Sequence, residues 1–214
     1  MVITFVQTLK DMQILRDHIK EYDIFVLPVF ERACHPNNNR VSFFAITTPN
    51  EMFIISNTHP DSVHPPFIGV TLEPKRVYTP SRTMLKQAGM LGFDAPIEDL
   101  NALVSLDHGT IPNYAITTSK SSINAESLMV LVDKCLALYT EYRIYMLVPL
   151  TNEYYHLVKN IDALALIENS GLEVNTSLLG TFFDGDISHR MYSRYNPFTA
   201  TGRPSNSFGG LNYA

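Results

Sequence analysis

The 214 residues are 45% hydrophobic and 17% charged, and the chain carries a net charge of −5. This composition is typical of a globular protein, and the negative charge argues against a protein that coats nucleic acid with its whole surface. The sequence contains no apolar run long enough for a transmembrane helix and no signal-peptide pattern. We therefore expect a cytoplasmic protein in which Cys34 and Cys135 are free thiols.

The first third of the chain predicts one helix and a three-stranded sheet. The stretch "TFVQTLKDMQILRDHIKEYD" begins extended and becomes helical, with apolar residues at helical spacing: Leu9, Met12, Leu15 and Ile19. Three short β-rich stretches follow, "IFVLPVFE", "VSFFAITT" and "MFIIS", and turns rich in Pro and Asn separate them. Strands joined by short turns predict an antiparallel meander.

Helices dominate the predicted elements that come next. The stretch "RVYT" predicts a fourth strand, and Ser81 is expected to cap a short helix that ends at Gly89. "PIEDLNALVSLDHG" predicts a helix because Pro and acidic residues favour a first turn, and "ESLMVLVDKCLALYTEYRIYMLV" predicts a long one. The clearest helix is expected to begin after Thr151 or Asn152 and to end at Gly171.

This order of elements resembles the ribonuclease-H-like arrangement, one α/β option among several. We therefore predict an α/β fold with a mixed sheet and helices over residues 1–148, followed by a helical connector.

The C-terminal segment differs from the rest in charge. Residues 187–214 contain Arg190, Arg194 and Arg203 and no acidic residue. A basic segment on an acidic chain suits phosphate contact, and a solvated basic tail is the alternative. Turn-forming residues and several aromatic side chains predict that the chain from about Asp184 is extended, and poorly packed until a partner surface covers it.

Two stretches resemble family A DNA polymerases, the bacterial polymerase I type, and in particular a phage branch of that family. The ending "TATGRPSNSFGGLNYA" resembles the family's Thr-Gly-Arg motif, and "VPLTNEYYHLVKNIDALALIENSGLEVNTSLL" is similar to the helix that joins its exonuclease and polymerase domains. The resemblance implies a degenerate 3′–5′ exonuclease-like domain in residues 1–148. It places the connector helix and the start of a truncated polymerase domain in residues 149–214. Twenty residues separate Leu178 from Thr199, so either the family's helical thumb is nearly absent or its role is taken elsewhere.

The candidate DNA-binding residues are Thr201, Arg203, Ser205, Asn212, Arg190 and Arg194. The resemblance assigns Arg203 and Asn212 to the minor groove of a primer–template. An arginine between Gly202 and Pro204 sits on a stiff backbone and presents a planar fork of donors. None of these residues is a catalytic group. The resemblance implies that the catalytic carboxylates, with the Mg²⁺ of the complete polymerase, belong to further palm and fingers sequence or to a second polypeptide.

A proofreading exonuclease needs about four carboxylates around two metal ions. The family's first-strand acids align with Leu27-Pro28-Val29 here, so the resemblance implies that this chain has no metal site and needs no cofactor of its own. The remaining candidate acids are more typical of helix caps and solvated surface: Asp23, Glu31, Asp94, Asp99 and Asp133.

We therefore expect part of a DNA-directed DNA polymerase, a nucleotidyltransferase of viral DNA replication in a host cell. This chain would contribute primer–template binding and a scaffold, with no catalytic activity of its own and no membrane contact. Two alternatives remain open. One is a non-catalytic protein-interaction module on the same fold, and the other is an active metal-dependent exonuclease with unrecognised acids.

Overall fold

The computed structural model describes residues 1–30, 41–56, 71–89, 92–109, 125–173, 190–199 and 204–207. The chain divides into two compact units that change over between Leu150 and Thr151. Within the described residues, no helix is both long and apolar enough to cross a membrane.

The first unit contains both strands and helices. Its described strands are β1 (Val2–Phe5), β2 (Asp23–Phe30), β3 (Val41–Thr47), β4 (Glu51–Ser56), β5 (Thr71–Leu72), β6 (Arg76–Thr79), β7 (Gly92–Phe93) and β8 (Ile97–Asp99). Its described helices are α1 (Leu9–Ile19), α2 (Arg82–Ala88), α3 (Leu100–His108) and α4 (Ala125–Tyr142), followed by a 3₁₀ turn at Tyr145–Leu147.

Six of these strands form one mixed sheet in the order β1-β4-β3-β2-β6-β8. Strands β2, β3 and β4 are the predicted antiparallel meander, whereas β6 and β8 run parallel to β2 and extend the sheet on its other side. Strand β1 lies parallel to β4 at the opposite edge. A meander followed by two parallel strands is the ribonuclease-H-like arrangement, so the predicted α/β fold class is confirmed.

The central strand β2 explains where the core lies. Every residue from Ile24 to Phe30 is buried, as expected for a strand that is covered on both faces. Ile24, Val26 and Phe30 belong to one hydrophobic cluster with Leu15 of α1 and Leu85 of α2. On the other face, the ring of Phe25 lies 5.7 Å from Tyr139 and 6.3 Å from Tyr142 of α4. The sheet is therefore enclosed between helices on both sides.

The predicted helix ends are confirmed by their hydrogen bonds and backbone angles. The hydroxyl of Ser81 accepts from the backbone N–H of Met84 at the start of α2, and Gly89 ends that helix with φ 62°. Only glycine adopts such a positive φ without strain.

The stretch that begins at Pro96 corrects one prediction. Ile97–Asp99 is a strand that pairs in parallel with Val77–Thr79, and the helix begins only at Leu100. Pro and acidic residues are indeed typical of a first helical turn, but the pairing with β6 joins residues about twenty positions apart. The long-range pairing therefore decides the local structure.

The second unit contains one long helix and short paired strands. Its described elements are α5 (Asn152–Ser170), β9 (Leu172–Glu173), β10 (Arg190–Met191), β11 (Arg194–Asn196) and β12 (Ser205–Ser207). The hydroxyl of Thr151 caps the first turn of α5, and Gly171 ends the helix with φ 67°. Strand β9 pairs antiparallel with β10, and β11 pairs antiparallel with β12. The predicted ends of this helix are therefore confirmed.

The same strands correct the expectation of a poorly packed C-terminal segment. Its described part is extended, as predicted, but it is paired in two antiparallel ladders, and Tyr195 and Ser193 are buried. The turn-forming residues gave no sign of this pairing, because the paired strands come from separate stretches of sequence.

Candidate nucleic-acid interface

The three residues that the resemblance aligns with the exonuclease acids of family A polymerases are part of the apolar core. Leu27, Pro28 and Val29 are all buried in β2. Alternate residues of a strand share a face, so Leu27 and Val29 point to the same side as Phe25, whose ring packs beside two tyrosines of α4. Two carboxylates at these positions would be desolvated among apolar side chains. The local environment is that of a packed core rather than a metal site.

Of the candidate acids that the structure describes, Asp99 is the most deeply buried, and it caps two helices. One carboxylate oxygen accepts from the backbone N–H of Ala102 at 3.0 Å, in the first turn of α3. The other accepts from the backbone N–H of Arg82 at 2.8 Å, at the start of α2. Burial raises the pKa of Asp99 to about 7, and these two hydrogen bonds oppose the shift. The interpretation of this acid as a cap is confirmed.

The other candidate acids are spread apart. Three of them are exposed and lie on different elements: Asp23 on β2, Asp94 after β7 and Asp133 on α4. Glu31 lies outside the described residues. Across the described residues, no three His, Cys, Asp or Glu side chains come close enough to hold a metal ion. Cys135 is a free, buried thiol, and burial raises its pKa to about 12. Cys34 lies outside the described residues.

In the second unit, the end of α5 holds the first candidate arginine. The guanidinium of Arg190 donates from Nε to the carbonyl oxygen of Ser170 at 2.7 Å and from Nη2 to that of Gly171 at 3.0 Å. A cation at the C-terminal carbonyls of a helix is stabilised by the helix dipole. Arg190 therefore has structural partners within the unit, and the residue is exposed.

The same helix anchors the strand that carries the second candidate arginine. Glu168 of α5 is buried, and its carboxylate accepts the backbone N–H of Tyr195 at 2.7 Å. Tyr195 is the middle residue of β11, so Arg194 and Asn196 on either side are fixed relative to α5.

Strand pairing then brings Ser205 beside this anchored strand. Asn196 lies opposite Ser205, and Arg194 lies opposite Ser207, in the antiparallel pair of β11 and β12. Ser205 is exposed, and Arg194 is partly exposed. The Thr-Gly-Arg motif, with Thr201 and Arg203, occupies the sequence between the two strands, outside the described residues, as does Asn212.

Two residues of this site were not among the sequence candidates. Glu168 matched the connector pattern, but nothing in the sequence showed that it accepts a backbone N–H of the arginine-bearing strand. Asn196 accepts the N–H of Phe198 at 3.0 Å, which is an Asx turn, and the Asn-Pro dipeptide at 196–197 is a recognised signal for one.

Comparisons with known proteins give a likeness of fold at low identity. RNase D of Escherichia coli, an exoribonuclease involved in structured RNA processing, aligns with a TM-score of 0.44 and 9% identity, over 78% of this chain and 50% of its own. The catalytic core of RRP6 from Trypanosoma brucei aligns with a TM-score of 0.33 and 16% identity, over 68% of this chain and 52% of its own. The chain thus spans about half the length of these structures. No protein-family model and no curated protein matches it.

Proposed function

We propose that this chain is part of a family A DNA polymerase, in which the second unit contacts the primer–template and the first unit is a ribonuclease-H-like scaffold. The observation that carries the proposal is the pairing of β11 with β12. The two strands that flank the Thr-Gly-Arg motif in sequence are hydrogen-bonded to each other, and β11 is tied to α5 through Glu168.

This arrangement supports a recognition role because it fixes the ends of the motif. A guanidinium fork recognises DNA best when little freedom is lost on binding. Arg194 and Ser205 lie on the same strand pair, so a phosphate near the motif would find a cation and a hydroxyl donor close together. Arg190, held at the carbonyl end of α5, would extend the basic surface.

The first unit supports the scaffold part of the proposal. Its fold is exonuclease-like in strand order, but the aligned acid positions of β2 are buried apolar residues. The complete polymerase would use Mg²⁺ on palm carboxylates. The described residues of this chain offer no cluster that fits the ion, so no metal-dependent step is assigned to them.

The proposal is tested by DNA binding with single arginine variants. Arg203→Ala should weaken binding of a primer–template duplex by at least about fivefold, since a bidentate arginine contact contributes about 1–3 kcal/mol. Arg203→Lys should also weaken it, because an ammonium group cannot reproduce a planar fork. Lys159→Ala is the matched control, since it removes the same charge from an exposed position of α5 in the same unit.

Two outcomes would overturn the proposal in favour of its rivals. Equal binding by the parent and by Arg203→Ala would favour a protein-interaction module. Degradation of labelled single-stranded DNA with Mg²⁺ or Mn²⁺, lost in Glu31→Ala, would favour an active exonuclease. Asp99→Ala serves that second assay less well, because loss of a double helix cap also destabilises the fold.

A further inference from the structure

The two edges of the six-stranded sheet differ in chemistry. Natural sheets protect their edges with short strands, charged side chains and prolines, which discourage pairing with another chain. The edge strand β8 has such features, because it contains three residues, follows Pro96 and carries Glu98 and Asp99. The opposite edge strand, β1, has the sequence Val-Ile-Thr-Phe and contains no charge, proline or glycine. Of the two edges of the described sheet, β1 is thus the one that carries none of these features.

The backbone of β1 shows which groups face outward. The N–H of Val2 donates to Asn50 at 3.2 Å, and the N–H of Val6 donates to Ile54 at 2.9 Å, both toward β4. The N–H and C=O groups of successive residues in a strand point to opposite edges. Those of Ile3 and Phe5 therefore point away from β4. In the described part of the chain, β1 pairs with β4 alone. Two N–H and two C=O groups therefore line this edge.

We propose that β1 is a self-association surface on which two copies of the chain pair β1 with β1, antiparallel, about a two-fold axis at Thr4. This register gives every outward group a partner, since Ile3 of each copy lies opposite Phe5 of the other as a hydrogen-bonded pair. The two Thr4 residues lie opposite each other as a non-hydrogen-bonded pair. An aromatic residue opposite a β-branched one is a stabilising cross-strand pair, whereas the hydroxyl of Thr4 already donates to the carboxylate of Glu51 in its own chain at 2.6 Å.

A second copy fits this edge better than a charged peptide does, because the pairing is self-complementary and β1 itself carries no charge. An exposed apolar side chain belongs to the strand itself, since Val2 is 61% exposed. A two-fold interface uses the same patch on both copies. Four residues per strand make a small interface, so the association is expected to be weak and concentration-dependent.

The test uses the full chain in sedimentation velocity over micromolar to millimolar concentrations. The parent should shift from monomer to dimer, and Ile3→Pro should remain monomeric. Proline at this position removes an outward N–H and leaves the hydrogen bonds to β4 intact, which edge strands tolerate. A parent that stays monomeric throughout, or a dimer that Ile3→Pro leaves unchanged, would overturn the proposal.

Disulfide trapping provides a second readout if Ile3→Pro fails to fold. In a Cys34→Ser background, Thr4→Cys should cross-link two copies under mild oxidation, because Cα atoms of a non-hydrogen-bonded pair lie about 4.5 Å apart, within reach of a disulfide. Val2→Cys is the control. The two Val2 residues would lie four positions out of register, about 13 Å apart, and should not cross-link. Equal cross-linking by both variants would contradict this register.

Discussion

Asp99 is a single carboxylate that satisfies the first turns of two helices. Its replacement by alanine would leave the N–H groups of Arg82 and Ala102 without their acceptor in a buried site. We expect Asp99→Ala to lower the free energy of unfolding by about 2–4 kcal/mol, measured by urea denaturation, since each lost cap contributes about 1–2 kcal/mol. Asp94→Ala, at an exposed position, should change it by less than about 0.5 kcal/mol. Equal effects of the two substitutions would contradict the capping role.

The raised pKa of Asp99 predicts a pH dependence of stability with a definite sign. In the unfolded chain an aspartate has a pKa of about 3.9, whereas burial raises it to about 7 in the fold. Between these pH values, Asp99 binds more protons in the folded state than in the unfolded state. The contribution of Asp99 to stability is therefore greatest at low pH and falls as the pH rises toward 7. The slope is at most about 1.4 kcal/mol per pH unit.

Asp99→Asn isolates this effect because the amide does not titrate. Relative to that variant, the parent should lose stability from about pH 4 to pH 7 and show no further change above it. Denaturation at several pH values gives the comparison. A parent that gains stability relative to Asp99→Asn over this range would mean that the two helix N-termini, and not burial, dominate the pKa of Asp99.

Two helices end at a glycine whose backbone angles set the direction of the chain after the helix. Gly171 ends α5 with φ 67° and ψ 169°, a region that is essentially restricted to glycine, whereas Gly109 ends α3 with φ 68° and ψ −7°. Gly171→Ala is therefore expected to cost about 1–3 kcal/mol of unfolding free energy. It should also disturb the bond from Arg190 to the carbonyl of residue 171.

Gly109→Ala is the matched comparison, because an added Cβ there meets nothing within 4 Å. Its cost should be about 1 kcal/mol, the left-handed helical penalty alone. A larger loss for Gly109→Ala than for Gly171→Ala in urea denaturation would refute the link between the end of α5 and the arginine-bearing strands.

At the level of helices and strands, the sequence was most informative where local chemistry decides the structure. The ends of α2 and α5 could be predicted because a capping residue or a glycine with positive φ acts over three or four positions. The residues concerned are Ser81, Gly89, Thr151 and Gly171. The strand at Ile97–Asp99 was not, since its pairing with β6 depends on residues far away in sequence.

In the candidate site, too, the residues could be predicted from sequence, but the contacts that hold them could not. Arg190, Arg194 and Ser205 were chosen by charge and by a motif, which are visible in sequence. The bonds that hold them in place, Arg190 to the end of α5 and Glu168 to β11, depend on tertiary contacts. The assignment of these side chains to DNA remains a prediction.

The chain as a whole is acidic, and its candidate DNA-binding residues are confined to the C-terminal stretch of the sequence. The net charge is −5, while residues 187–214 carry three arginines and no acidic residue. A long-range field of this sign repels DNA, so binding has to rely on a local basic surface rather than on net attraction.

The two compact units change over at Leu150–Thr151, close to the domain boundary predicted at residues 148–149. The assignment of an exonuclease-like domain before this boundary and a polymerase domain after it stays a prediction.

This charge distribution predicts the salt dependence of DNA binding. If the three arginines each neutralise one phosphate of a duplex, the logarithm of the binding constant should fall with the logarithm of salt concentration with a slope of at most about −3, since each contact contributes about −0.9. Arg203→Ala should reduce the magnitude of the slope by about one contact, and Lys159→Ala should leave it unchanged, because Lys159 lies on α5 rather than in the basic segment. Fluorescence anisotropy of a labelled primer–template at several salt concentrations measures both slopes. A slope near zero for the parent, or one that Lys159→Ala lowers as much as Arg203→Ala does, would place the DNA contacts elsewhere on the molecule.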